Sequence, residues 1–192
     1  MSYLNRDERR EVILQAAMRV ALEEGFTAMT VRRIAAEAHV ATGQVHHHFS
    51  SAGELKSQAF VRLIRTLLDA ELVSENASFR ERLHAMLGSE DGGFEPHIRL
   101  WREAQVLADK DPEIKSAYLL TMRMWHEETA NIITQGQKAG EFLSTPDAAD
   151  VAWRLIAVVC GLDGMYVLGI EEMADPAFEH HLDRMITLEL FS

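Results

Sequence analysis

The side chains best suited to chemistry lie close together between residues 42 and 49, where the sequence reads TGQVHHHF. If this segment is helical, Val45 and Phe49 share one face, and the polar side chains cover the remaining surface. Glutamine can read adenine, histidine can donate to bases or phosphates, and the small residue Gly43 lets backbone amides approach a phosphate. The pattern predicts a helix that reads a DNA groove. Its predicted contacts are Thr42, Gly43, Gln44, His46, His47 and His48.

A metal site is the alternative interpretation of the three consecutive histidines. Successive residues of a helix point in directions about 100° apart, so three in a row cannot converge on one ion. An enzyme is also disfavoured, because the sequence has no GxSxG, P-loop, HExxH or dinucleotide-binding motif, and Cys160 lies in an apolar segment. We therefore expect no catalytic residue, no metal and no cofactor.

Two helices must position this segment. Asn5 and Glu8 have the spacing of a capping box, which predicts a first helix that ends at Gly25. Thr30 then begins a short helix, TVRRIAAEA, whose apolar stripe leaves Arg32 and Arg33 pointing elsewhere. A break of about three residues separates it from the segment 42–49, which predicts a helix-turn-helix. The two arginines add positive charge to this surface, or they belong to an ordinary solvated face.

The rest of the chain also has the pattern of helices. Capping residues precede three prolines, at Asp111-Pro112, Thr145-Pro146 and Asp175-Pro176, and each pair predicts a helix start. A flexible loop is expected over residues 88–93. The helices predicted beyond residue 50 span 54–72, 78–88, a segment that begins at Pro96, 112–139, 146–168 and 176–190. No alternating β pattern occurs, so we predict an all-α fold of about nine helices. Residues 1–50 would form a three-helix DNA-binding domain, and residues 51–192 a larger helical body for ligand binding and dimerisation.

Charge is distributed unevenly along the 192 residues. The net charge is −11, but the first 50 residues contain six arginines and six acidic residues, so the excess negative charge lies beyond them. The N-terminal segment therefore does not repel DNA as the whole chain would. We expect a cytoplasmic protein, because the N-terminus is charged, no apolar run is long enough to span a membrane, and the single cysteine excludes an intramolecular disulfide.

The segment TVRRIAAEAHVATGQVHHHFSSAGEL resembles the N-terminal signature of the TetR family of regulators, and the resemblance covers roughly residues 8–60. It implies a repressor that binds a palindromic operator as a homodimer and is released by a ligand. His39 stands where the turn usually has glycine, and Ala52 replaces a phosphate-binding lysine for which Lys56 is a partial substitute. Aromatic residues are also common at the positions of His46 and His47. The predicted DNA-binding set is Thr30, Arg32, Arg33, Thr42, Gly43, Gln44, His46, His47, His48 and Lys56.

The helical body carries candidate effector contacts. Aromatic, methionine and carboxylate side chains on neighbouring helical positions favour a lipophilic cation, and Asp163 is a carboxylate within an apolar run. The predicted contacts are Trp101, Gln105, Tyr118, Met122, Trp125, Glu128, Trp153, Cys160 and Asp163. Core packing is the alternative for these stripes, with Asp163 satisfied by an arginine or a helix cap. The resemblance implies dimerisation through the last two helices and suggests control of an efflux gene, whereas an adaptor would use the body to bind a protein partner.

Overall fold

The computed structural model describes residues 5–70, 73–88, 94–170, 172 and 175–192. Over these residues the chain forms nine α-helices, a short 3₁₀ turn at Phe26–Ala28 and no strand, which confirms the predicted all-α fold. No helix in this part of the chain is long and apolar enough to cross a membrane. The helices are α1 (Arg6–Glu24), α2 (Val31–Glu37), α3 (Thr42–His48), α4 (Ala52–Leu68), α5 (Phe79–Leu87), α6 (Glu95–Leu107), α7 (Pro112–Lys138), α8 (Ala148–Val167) and α9 (Asp175–Leu190).

The predicted capping box at Asn5 and Glu8 is present, and a second one begins α5. The Glu8 amide donates to Asn5 Oδ1 at 2.9 Å, and the Asn5 amide donates to Glu8 Oε2 at 2.7 Å. Ser78 and Glu81 make the same reciprocal pair at the start of α5. Each box satisfies two amides that have no partner within the helix. The starts of α1 and α5 are therefore determined by local sequence.

The predicted start of α8 at Pro146 is wrong. The helix begins at Ala148, and the side chain of Asp147 caps it by accepting from the Asp150 amide at 2.9 Å. Gln137 Nε2 donates to the Pro146 carbonyl at 2.8 Å, so this residue lies in the connection before the helix. A carboxylate at the N-cap satisfies an amide and also interacts favourably with the positive end of the helix dipole.

Other predicted boundaries differ by a few residues. α4 begins at Ala52 because the Ser51 hydroxyl accepts from the Glu54 amide at 2.8 Å, and it ends at Leu68 rather than near residue 72. Residues 89–93 of the predicted loop and the predicted cap at the Asp175 side chain lie outside the described residues.

The helices form two compact units. The first unit comprises residues 1–69 and 93–122, and α1 packs in it against α2, α3, α4 and α6. Fully buried side chains at its centre include Ile13, Val20, Phe26 and Phe60. The second unit comprises residues 70–92 and 123–192, where α5, α8 and α9 pack together. The predicted domain boundary at residue 50 stays a prediction.

The turn between α2 and α3 has a left-handed residue that is not glycine. His39 has φ +53°, its amide donates to the Ala36 carbonyl at 3.2 Å, and the Val40 amide donates to the Ala35 carbonyl at 3.0 Å. This pair of bonds is a Schellman motif, which ends α2 and turns the chain into α3. A side chain with a Cβ is strained in this conformation, so the departure from glycine at residue 39 has a cost.

We expect His39→Gly to be more stable than His39→Ala by about 1 kcal/mol, because both remove the imidazole but only glycine relieves the strain. Urea unfolding at a single protein concentration measures the difference. Equal stability of the two variants would contradict the role assigned to the positive φ.

Candidate functional site

One face of α3 is fixed by burial. Val45 and Phe49 are each 2% exposed, and they pack in the same core as Ile34 and Ala35 of α2. A helix of seven residues is not stable alone, so these contacts hold α3 in place. The orientation of its opposite face follows from that packing.

The six predicted contacts of α3 lie on its outer side. All are exposed except His48, which is half-buried, and a Cβ added at Gly43 would meet nothing within 4 Å. Their side chains and the backbone at Gly43 are open to a large ligand. They are Thr42, Gly43, Gln44, His46, His47 and His48.

The environment of His48 identifies a basic surface that sequence reasoning missed. Partial burial lowers the pKa of His48, so its imidazole is neutral near pH 7. Nearby positive charges lower that pKa further, and they belong to His47, Arg6, Arg10 and Arg9. The first turn of α1 therefore lies beside α3. The signal in the sequence was the group of three arginines, Arg6, Arg9 and Arg10, before the first apolar stripe, although Asp7 and Glu8 lie among them.

Arg10 has a structural role within this surface. Its guanidinium lies 4.6 Å from the centre of the Phe49 ring and donates to Gln58 Oε1 at 2.6 Å. It therefore joins the end of α3 to α4 and contributes cation–π energy. Arg6 is exposed and Arg9 is half-buried, and neither has an ion pair among the described residues, whereas Arg19 of the same helix pairs with Glu37.

The structure distinguishes the two arginines of α2. Arg33 pairs with Glu24 at 2.6 Å and with Glu37 at 3.0 Å, and these bonds raise its pKa, with the Glu24 bond the largest cause. Glu37 also pairs with Arg19, so the network joins α2 to α1. Arg32 is exposed and has no ion pair among the residues that the structure describes. Its charge is not neutralised by a neighbouring carboxylate.

Thr30 is exposed, and its hydroxyl accepts from the Arg33 amide at 3.1 Å as the cap of α2. That bond leaves the hydroxyl proton of Thr30 available for donation. The predicted Thr30 and Arg32 thus lie at the exposed start of α2, whereas Arg33 is engaged within the fold.

A carboxylate lies at the start of α4, where the resemblance implies a basic residue. The Ser51 hydroxyl donates to Glu113 Oε1 at 3.1 Å, and a Cβ added at Gly53 would overlap Glu113 Oε2. A side chain at residue 53 would therefore displace the Glu113 carboxylate. Lys56, one turn along the helix, is half-buried. Sequence reasoning missed Glu113 because residues 51 and 113 are far apart in the chain.

The predicted effector contacts in the first unit include one aromatic pair. Trp101 of α6 and Tyr118 of α7 are half-buried against the core and meet edge to face, with ring centres 6.2 Å apart. Met122 is half-buried, whereas Gln105 is exposed. The structure thus brings Trp101 and Tyr118 together.

In the second unit, Trp125 and Trp153 have different surroundings. Trp125 is 9% exposed, and its indole Nε1 donates to the Met86 carbonyl at 3.0 Å. Trp153 is 44% exposed and stacks on His126 with ring centres 4.2 Å apart. Trp125 therefore holds α7 to the end of α5, as expected of a core residue.

Two family models match this chain, one over the helix-turn-helix and one over the helices that follow it. Residues 13–55 match the model of the bacterial regulatory proteins of the tetR family, and residues 78–190 match the C-terminal model of the BetI-type transcriptional repressors. The chain belongs to the TetR family. It is a transcriptional repressor with a DNA-binding helix-turn-helix and not an enzyme, as predicted.

Individual relatives of this TetR-family chain align with most of its length. The HTH-type transcriptional repressor KstR2 of Mycobacterium tuberculosis is 28% identical over 162 residues, which are 78% of this chain and 76% of KstR2. A transcriptional regulator from Saccharomonospora viridis, crystallised in complex with choline, is 26% identical with a TM-score of 0.74 and covers 96% of this chain and 98% of its own. A TetR-family regulator from Rhodococcus sp. is 26% identical with a TM-score of 0.71, over 95% and 98% of the two chains.

One side of α8 in this TetR-family chain is apolar and exposed. Trp153, Ala157, Gly161, Gly164 and Leu168 follow one another at helical spacing, and each is exposed. The remaining predicted effector contacts also differ in exposure, since Cys160 and Glu128 are exposed and Asp163 is half-buried.

We expect Trp125→Phe to lower the free energy of unfolding by about 1–3 kcal/mol, because it leaves the Met86 carbonyl without its indole donor. Trp153→Phe is the matched control, and since its ring is exposed the change should stay within about 0.5 kcal/mol. Urea unfolding of the unliganded protein measures both. Equal losses in the two variants would overturn the structural role of Trp125.

Proposed function

We propose that this repressor binds a palindromic operator as a homodimer, through α3 and the first turns of α1 and α2, and that a small amphipathic cation releases it. The observation that carries the proposal is the exposed polar side of α3 beside the arginines of α1. Gln44, His46 and His47 are side chains that hydrogen-bond to base edges or phosphates, and Arg6 and Arg32 supply exposed positive charge.

We propose that DNA binding depends on the local charge of this surface more than on the net charge of the whole chain. The exposed arginines lie in the N-terminal segment, whose acidic and basic residues are equal in number, whereas the excess acidic residues lie beyond residue 50. His48 adds a neutral donor rather than a charge near pH 7, because its pKa is lowered. We therefore assign phosphate binding mainly to the arginines.

The exposed apolar side of α8 supports the homodimer. Leu168, the residue that follows α8, is 77% exposed, and Leu188 of α9 is 46% exposed. A Cβ added at Gly161 or Gly164 would meet nothing within 4 Å, so the backbone there is open to close approach by another helix. We propose that α8 and α9 of a second copy cover this surface, which would give two copies of α3 spaced for a palindrome.

The effector class is proposed from the aromatic pair and from one relative. Trp101 and Tyr118 offer ring surfaces of the kind that attract quaternary ammonium groups. The Saccharomonospora viridis regulator was crystallised with choline, which is such a cation. We propose a ligand of this class for the present chain. Glu128, Asp163 and the other predicted contacts stay predictions, as does control of an efflux gene.

The two arginines of α2 should differ in their effect on DNA binding. Arg32→Ala should weaken binding by about 1–3 kcal/mol, and the salt dependence should fall by about one unit if the contact is to phosphate. Arg33→Ala should have a several-fold smaller effect, because Glu24 and Glu37 already neutralise its charge. Fluorescence anisotropy with a duplex selected from a random pool by the wild-type protein measures both.

Arg123→Ala is the control for that experiment, since Arg123 is an exposed arginine of α7 and lies outside the proposed DNA-binding and dimer surfaces. Its affinity for the duplex should equal that of the wild type. If Arg32→Ala also binds as tightly as the wild type, the proposed interface is wrong.

Choline and benzyltrimethylammonium should weaken binding of the selected duplex by several-fold to about a hundredfold, the range of typical allosteric couplings. The neutral isostere 3,3-dimethyl-1-butanol should have little effect, because it lacks the positive charge that aromatic rings attract. Titrations at constant ionic strength exclude a simple salt effect. Equal responses to the cations and to the neutral compound would contradict a cationic effector.

A further inference from the structure

The carboxylate of Glu113 lies against the start of α4, although Glu113 itself belongs to the first turn of α7. The Ser51 hydroxyl donates to Glu113 Oε1 at 3.1 Å and lies 3.2 Å from Oε2. A Cβ added at Gly53 would overlap Oε2, so the absence of a side chain at residue 53 makes room for the carboxylate. Two residues 62 positions apart in the chain thus place a negative charge at one helix end.

The start of α4 is an environment that attracts anions. The amides of Ala52 and Gly53 are the first two of the helix, and neither has an acceptor among the described residues. The positive end of the helix dipole adds to the attraction of these amides for a negative group. The position therefore suits the Glu113 carboxylate, and for the same reasons it suits a phosphate.

A continuous set of contacts holds this helix start beside the proposed DNA-binding surface. Ser50 donates to Glu54 Oε2 through its amide at 2.7 Å and through its hydroxyl at 2.5 Å. Gln58 donates to Glu54 Oε1 at 2.8 Å and accepts from Arg10 at 2.6 Å. Arg10 covers the ring of Phe49, the residue that follows α3. The start of α4 is therefore joined to the end of α3 and to α1.

The distance from α3 to Glu113 is short on the scale of electrostatic screening. The chain from His48, the last residue of α3, to Ala52, the first of α4, spans at most ~14 Å. Salt at about 0.1 M screens charges over roughly 10 Å. Phosphates that flank α3 in a DNA groove are therefore close enough to be repelled by a carboxylate at the start of α4.

We propose that Glu113 is an internal competitor for a backbone phosphate of DNA at the start of α4, and that it lowers the affinity of the repressor for its operator. A phosphate at the Ala52 and Gly53 amides would have to displace the carboxylate, because two negative charges at one helix end repel each other. This inference rests on the proposed function, because it requires α3 to face the DNA. It adds a residue of α7 that sets how tightly the operator is bound.

Glu113→Gln tests the proposal, because its side-chain amide keeps an oxygen for the Ser51 hydroxyl and removes the charge. Fluorescence anisotropy with the selected duplex should show binding about three- to tenfold tighter than that of the wild type at about 0.1 M salt. The gain should shrink as the salt concentration rises, since salt screens the repulsion. Glu127→Gln is the matched control, because Glu127 is an exposed carboxylate of the same helix, and its affinity should stay within about twofold of the wild type.

Both glutamine variants should melt at the temperature of the wild type, because both side chains are exposed. A gain in affinity then does not reflect a larger folded fraction. The proposal is overturned if Glu113→Gln binds the duplex no more tightly than the wild type. Equal gains in the two variants would also overturn it, since they would reflect net charge alone.

Gly53→Ala separates the position of the charge from its amount. The added Cβ should move the carboxylate away from the helix start without changing the net charge, and alanine is favourable within a helix. Combining it with Glu113→Gln gives a double-mutant cycle, in which the glutamine should change the affinity of Gly53→Ala by less than about twofold. A gain as large as in the wild-type background would show that the contact at α4 plays no part, and the proposal would be wrong.

Arg32→Ala distinguishes a failure of this proposal from a failure of the proposed function. If Arg32→Ala weakens binding of the duplex but Glu113→Gln does not strengthen it, the DNA-binding surface stands and the internal competitor is wrong. If neither substitution changes the affinity, both proposals are wrong.

Discussion

The burial of Val45 and Phe49 is the constraint on which the DNA-binding surface depends. α3 has only seven residues and its cap, Ala41, makes no side-chain bond, so local interactions alone cannot keep it helical. Its orientation comes from the core it shares with α1 and α2, and from Arg10, whose guanidinium covers Phe49. The capping box at Asn5 fixes the start of α1 and the left-handed turn at His39 ends α2, so the exposed residues of α3 present one defined surface.

The arginines around that surface fall into two groups, those paired with carboxylates and those that are exposed. Arg33 and Arg19 are engaged with carboxylates that join α1 and α2, so they stabilise the framework rather than extend the basic surface. Arg6 and Arg32 remain exposed beside α3. Glu113 brings a carboxylate to the start of α4, next to the segment that follows α3. We therefore propose that DNA affinity in this acidic repressor depends on a few arginines, whereas α7 places a negative charge at the start of α4.

Features set by neighbouring residues were predictable from the sequence. The capping boxes, the all-α fold and the division of α3 into apolar and polar sides each follow from spacings of three or four residues. Contacts between distant segments were not predictable. Nothing local indicates that Glu113 meets Gly53, that Trp125 bonds to Met86, or that Arg33 is neutralised while Arg32 is not. The predicted start of α8 was wrong for a related reason. Thr145 and Asp147 are both candidate caps, and the bond from Gln137, a residue of α7, to the Pro146 carbonyl favours Asp147.

We propose that two copies of α3 read one palindrome. Footprinting at genomic sites bound by the native protein, combined with light scattering of the complex, tests this most directly. We expect protection of two inverted half-sites, with centres about one helical turn or a multiple of it apart (~34–36 Å per turn), and an even number of chains on each duplex. Protection of a single asymmetric site by one chain would contradict it.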